Sequence, residues 1–231
     1  MATEETPQVQ QAKRSSSKLN PFSLIGILLG SLLFSIIVEW IGIAFFWTAE
    51  GAMHSKQVMM DEFGWFSTDF QQSLIYSQPV HFAEWAISSL HHWLFVKTGI
   101  QAWLAHPTES NWSAYIYYHV RDYVEASLYV LITFIIRLII IVLTSPLFLL
   151  AALVGFIDGL VQRDLRRFGV GRESAFKYHY AKRLVFPSMI VAWLIYLSIP
   201  FSIHPNLILI PSAVLFGLLI AFTSANFKKY L

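Results

Sequence analysis

Cysteine is absent from the 231 residues, which excludes disulfides, c-type haem attachment and thiolate metal sites. Charge is scarce. Asp, Glu, Lys and Arg make up 13% of the chain, against about 25% in ordinary soluble domains. The sequence also lacks a P-loop, a dinucleotide fingerprint, a Gly-x-Ser-x-Gly elbow and kinase signatures, so no familiar catalytic motif is legible. Apolar mass is abundant instead, with 56% hydrophobic and 16% aromatic residues and a mean hydropathy of +0.55. A chain of this size dominated by apolar runs is one membrane domain, not an anchor joined to a soluble enzyme.

The pattern predicts an all-α integral membrane helical bundle with about four transmembrane helices, plus amphipathic helices in a large outer loop. Residues 1–20 are polar, include Lys13, Arg14 and Lys18, and read as a disordered cytoplasmic tail. Residues 21–231 form the membrane domain. Its spans are expected at about 22–47, 126–157, 184–203 and 207–225, each matching the ~20 residues that cross a bilayer. The first run is longer than the 7–15 residues of a signal-peptide core and is read as an uncleaved anchor. Between spans lie the outer loop 48–124, the cytoplasmic hairpin 158–183 and the tight turn His204-Pro205-Asn206. A competing topology makes Trp85–Leu104 a fifth span, with His91, His92 and Lys97 inside it.

Orientation follows from lysine and arginine. The N-terminal tail, the 158–183 segment and the C-terminus carry three, seven and two, against three in the outer loop. Under the positive-inside rule, both termini and the hairpin are cytoplasmic.

Glu39 and Arg137 are the ionisable residues inside predicted spans, and such residues are functional candidates by default. Counting ~1.5 Å per residue places both near the outer interface, where an intramembrane ion pair would satisfy both charges or each could reach water alone. A proton relay is disfavoured, because arginine does not release its proton. Gly26 and Gly30 form a GxxxG, a spacing that allows close helix packing within the bundle or a homo-oligomer.

In the outer loop, Val80, Phe82, Ala86, Leu90, Trp93, Ile100 and Leu104 fall on one face of an amphipathic helix, and His81, Glu84, Ser88 and His91 on the other. The polar set has the wrong spacing to chelate one ion, so neither a metal nor a cofactor is expected, and the aromatics suit an interfacial belt.

The stretch Gly155–Arg183 is the most particular: GFIDGLVQRDLRRFGVGRESAFKYHYAKR. A helix should leave the membrane, end near Phe168 at Gly169 and Gly171, and restart near Glu173. Its cations suit anionic headgroups or serve as ordinary topology determinants. Asp158 and Asp164 beside Arg163 and Arg167 suggest a partner surface. No direct nucleic-acid binding is predicted.

This string resembles the signature of a family of membrane proteins encoded in integrating conjugative elements, with a similar layout from about Pro21 to Ala225. The resemblance implies a non-enzymatic inner-membrane component or accessory of a conjugative type IV secretion apparatus. It implies the coupling ATPase or other secretion subunits as partners beside the lipid bilayer. Asp158, Arg163, Asp164, Arg166, Arg167, Arg172 and Glu173 carry over as motif positions and as the expected partner-binding set. A small transporter or channel is the alternative, and a membrane-embedded envelope enzyme a further one.

Overall fold

A computed structural model describes residues 21–71, 73, 75, 78–105, 111–168 and 175–227, and these form helices with no strand among them. In chain order they are α1 (Pro21–Phe45), α2 (Ala52–Asp69), α3 (Pro79–His91), a π-helical segment His92–Lys97, α4 (Ile100–Ala105), α5 (Asn111–Phe168), α6 (Ala175–Ser198) and α7 (Asn206–Ala225). Four helices are long and apolar enough to cross a membrane: α1, α5, α6 and α7. The fold is therefore the expected all-α bundle.

Helix α5 is the spine. Its 58 residues extend ~87 Å at 1.5 Å per residue, nearly three times the ~30 Å of hydrocarbon in a bilayer, so a large part of it projects beyond any single crossing. It begins at Asn111, inside the segment expected to be an outer loop, and ends at Phe168, where glycines follow. Pro146 sits inside it and cannot donate to the carbonyl four residues back. The Ser145 hydroxyl takes that role, donating to the Val142 carbonyl at 2.7 Å.

The second half of α5 packs on α7 through small residues. A β-carbon on Gly155 would stand 2.1 Å from the Gly217 carbonyl oxygen, and one on Gly159 2.5 Å from that of Ala221. The helices thus run parallel, with backbones touching in the manner of small-residue membrane interfaces. By contrast, Gly26 and Gly30 meet nothing within 4 Å. The GxxxG of α1 does not pack within the chain, which corrects half of that expectation. Trp40 of α1 donates its indole N–H to Ser127 Oγ of α5 at 2.9 Å, and Ser31 is bonded to Ser198 of α6 at 3.0 Å.

The first half of α5 is covered by α2 and α3. On α2, Ala52, Ser55, Val58, Glu62 and Phe66 are buried, a stripe of helical period laid against α5. The segment considered as a fifth span is broken by the π-helical turns and by Gly99 at φ 75°. Of its expected apolar face, Val80, Leu90 and Leu104 pack against the core, but the most deeply buried residues differ. Ala83 and Phe95 are buried, while Phe82 and Trp93 are exposed, because docking on α5 selects a face that hydropathy alone did not mark. The core joins Phe66, Phe95, Ile132, Ile136, Ile140, Phe148, Tyr196 and Leu209.

Candidate functional site

The most chemically loaded place in the fold is a buried charge network where α1, α2, α5 and the α6–α7 turn meet. Arg137 projects from α5 with 2% of its side chain exposed, and Glu62 from α2 with 0%. Arg137 Nη2 and Nε donate to Glu62 Oε1 at 2.7 and 3.1 Å. Its Nη groups also donate to the Ile199 and Phe201 carbonyls, which lie just past the end of α6. Arginine's planar fork suits this double duty. The Tyr196 hydroxyl donates to Glu62 Oε2 at 3.0 Å, so both carboxylate oxygens are held.

Glu39 belongs to the neighbouring part of the same network. Its Oε1 accepts from Ser55 Oγ at 2.6 Å and lies 3.0 Å from His54 Nδ1. The His54 ring is stacked on Trp47, with centroids 4.0 Å apart, and the Trp47 ring covers Gly42 so closely that a β-carbon there would clash. The candidate Glu39–Arg137 ion pair is therefore corrected: both residues line one cavity of about 20 Å³, water-sized, but each has another partner. The cause is α2, which packs on α5 and supplies Glu62 to Arg137 and His54 and Ser55 to Glu39. Glu62, Tyr196 and Ser55 are not marked by sequence reasoning, and His54 stands out only as one of the outer-loop histidines. The available signal was the period 55, 58, 62, 66, which places a carboxylate on the packing stripe of an otherwise polar helix.

Chemically, the network ties helices together. Burying a charge is costly unless it is paired and hydrogen-bonded, and here the pairing joins α2, α5 and the turn after α6. Two further contacts brace that turn: Ser202 Oγ donates to Asp61 at 3.1 Å, and His204 Nε2 lies 3.2 Å from Asp69. The outer-loop polar set does not converge. His81 lies 3.4 Å from Glu84, both well exposed, while His91 stacks on Phe95. Among the described residues no group of three metal-ligating side chains occurs.

At the opposite end of the bundle stand the motif residues of the basic hairpin. Asp158 accepts from Gln162 at 2.7 Å, and Arg163 lies 3.5 Å from Asp164. Arg166 reaches Asn226, just beyond α7, at 3.5 Å. Arg163 Nε is buried and has no hydrogen-bond partner among the described residues. Nearby, Tyr178 of α6 meets Phe227 edge to face, with the Lys182 ammonium over the Tyr178 ring. Arg167 is on the last turn of α5, and Arg172 and Glu173 lie outside the described residues. The ends of α5, α6 and α7 thus converge into one basic surface.

No curated protein and no solved structure matches the chain. A family model does, over residues 46–228, a stretch holding α2 to α7, the Arg137–Glu62 network and the basic hairpin, and its description is IncC plasmid conjugative DNA transfer protein DtrJ-like. The resemblance carried by Gly155–Arg183 pointed to conjugative elements, and the match agrees: the chain belongs to the DtrJ-like family of conjugative DNA transfer proteins.

Proposed function

We propose that this protein serves conjugative DNA transfer as a non-enzymatic scaffold in the bacterial inner membrane, docking a secretion-system partner through its basic end. The single observation that carries the reading is the convergence of α5, α6 and α7 around Arg163, Arg166 and Lys182, whose side chains keep part of their surface exposed. Carboxylates of a protein partner would pair with the exposed parts of these cations, as charge-assisted hydrogen bonds do.

The rest of the molecule supports a scaffold. Its strongest polar interactions join helix to helix, and the arginine at their centre makes four hydrogen bonds. Helix directions also suit four crossings, with α7 parallel to α5. With that arrangement, the excess of Lys and Arg at this end supports a reading in which both termini and the basic end are cytoplasmic. The coupling ATPase of the type IV secretion apparatus is the partner proposed for this surface, since it works at the cytoplasmic face. The glycine face of α1, open in the single chain, suits self-association or a partner's helix.

Affinity purification of the tagged chain from donor cells in mild detergent tests this reading. Recovery of the coupling ATPase is expected. Recovery of the chain with no secretion subunit, under conditions that preserve transfer, overturns it.

A further inference from the structure

A second feature lies away from both the charge network and the basic end. Beside α5, below the end of α2, a groove of about 550 Å³ is lined by Asp69, Ser73, Thr144, Leu147, Leu150 and Leu153 among others. That volume falls within the ~300–1,000 Å³ of ordinary ligand sites. Its polar residues, Asp69, Ser73 and Thr144, gather toward one end beside Phe70 and Leu143, and the rest of its lining is apolar. Asp69 and Ser73 stand at one end, level with the α6–α7 turn through the Asp69–His204 contact. The leucines follow along α5 toward the basic end. From Thr144 to Leu153 the groove runs ~14 Å at 1.5 Å per residue, about half the ~30 Å hydrocarbon thickness. It is one leaflet deep.

The charge around its polar end chooses the headgroup. Asp69 is a lining residue, no Lys or Arg stands among the described lining residues, and Asp61 and Asp69 flank the turn at Ser202 and His204. An anionic headgroup is repelled there, and an ammonium is attracted. Asp69 keeps about a third of its side chain exposed while contacting His204, so it remains open to a second donor.

We propose that this groove is a binding site for a phospholipid with an ammonium headgroup, of the phosphatidylethanolamine class. The ammonium sits on Asp69, and one acyl chain lies along Leu147, Leu150 and Leu153. The lipid would fill the side of α5 opposite its small-residue contact with α7 and hold α2 against the spine.

The full chain, reconstituted in nanodiscs of equal phosphatidylethanolamine and phosphatidylglycerol and re-extracted in mild detergent, provides the test. Mass spectrometry of the retained lipid should show phosphatidylethanolamine enriched about two- to fivefold over the bulk ratio, the size that an exposed ion pair gives. Asp69→Asn should return the ratio to bulk, and Asp69→Glu should keep the enrichment. Leu150→Trp, which fills the groove without touching the charge, should reduce the amount of lipid retained while thermal unfolding shows a folded chain. Retained lipid that mirrors the bulk in the unaltered chain, or is enriched in phosphatidylglycerol, overturns the proposal. So does enrichment that survives Asp69→Asn, or retention unaffected by Leu150→Trp.

Discussion

Arg137 Nη2 lies 2.7 Å from Glu62 Oε1, with both side chains sealed from solvent. This one contact joins α2 to the spine helix, and the same guanidinium holds the carbonyls of Ile199 and Phe201. Removing one member of such a pair leaves the other charged and buried, which typically costs more than the pair itself contributes.

Glu62→Ala should therefore destabilise the protein by about 3–5 kcal/mol, read as thermal unfolding in mild detergent. Adding Arg137→Leu should cost much less than the two single effects combined, since no charge is then stranded. Additive costs would show that the two side chains do not act as a unit. Reversing Glu39 and Arg137 together should not rescue either single reversal, because each is held by other residues.

The α5–α7 contact makes a second prediction. Gly155→Ala places a methyl against the Gly217 carbonyl, and overpacking of this kind costs about 1–3 kcal/mol. Gly26→Ala and Gly30→Ala enter open space and should leave the unfolding temperature of the single chain unchanged. If those two lower it as much as Gly155→Ala does, the assignment of the packing glycines is wrong.

The absence of cysteine makes orientation directly measurable. A single cysteine replacing Phe168, 93% exposed at the end of α5, should react with a membrane-impermeant maleimide only after spheroplasts are opened. One replacing Trp85, 65% exposed on α3, should react in intact spheroplasts. The reverse pattern would invert the proposed topology.

Much of this was legible in the sequence, for physical reasons. Long apolar runs identify α1, α6 and α7 directly, and the glycines after Phe168 mark the end of α5. The hidden parts depend on tertiary partners. Helix α2 has low hydrophobicity and reads as a loop, yet Ser55, Val58, Glu62 and Phe66 line its buried side. Once α2 is taken as a loop, Glu62 leaves the list of buried charges, and Glu39 is left as Arg137's only visible partner. The GxxxG of α1 drew attention by its spacing. The glycines that actually meet, Gly155 and Gly217, lie on different helices, where no local spacing reveals them.

If the basic end docks a partner needed for DNA transfer, conjugation frequency should depend on its arginines. Donors carrying Arg163→Glu with Arg166→Glu, at membrane levels equal to the unaltered chain, should lose transfer by at least about tenfold. That is the effect of ~1.4 kcal/mol of lost binding. The coupling ATPase should also disappear from the affinity eluate. Donors carrying Lys56→Glu, on the partly buried surface of α2 away from the basic end, should transfer normally. Unchanged transfer and unchanged co-purification with both arginines reversed would contradict the account.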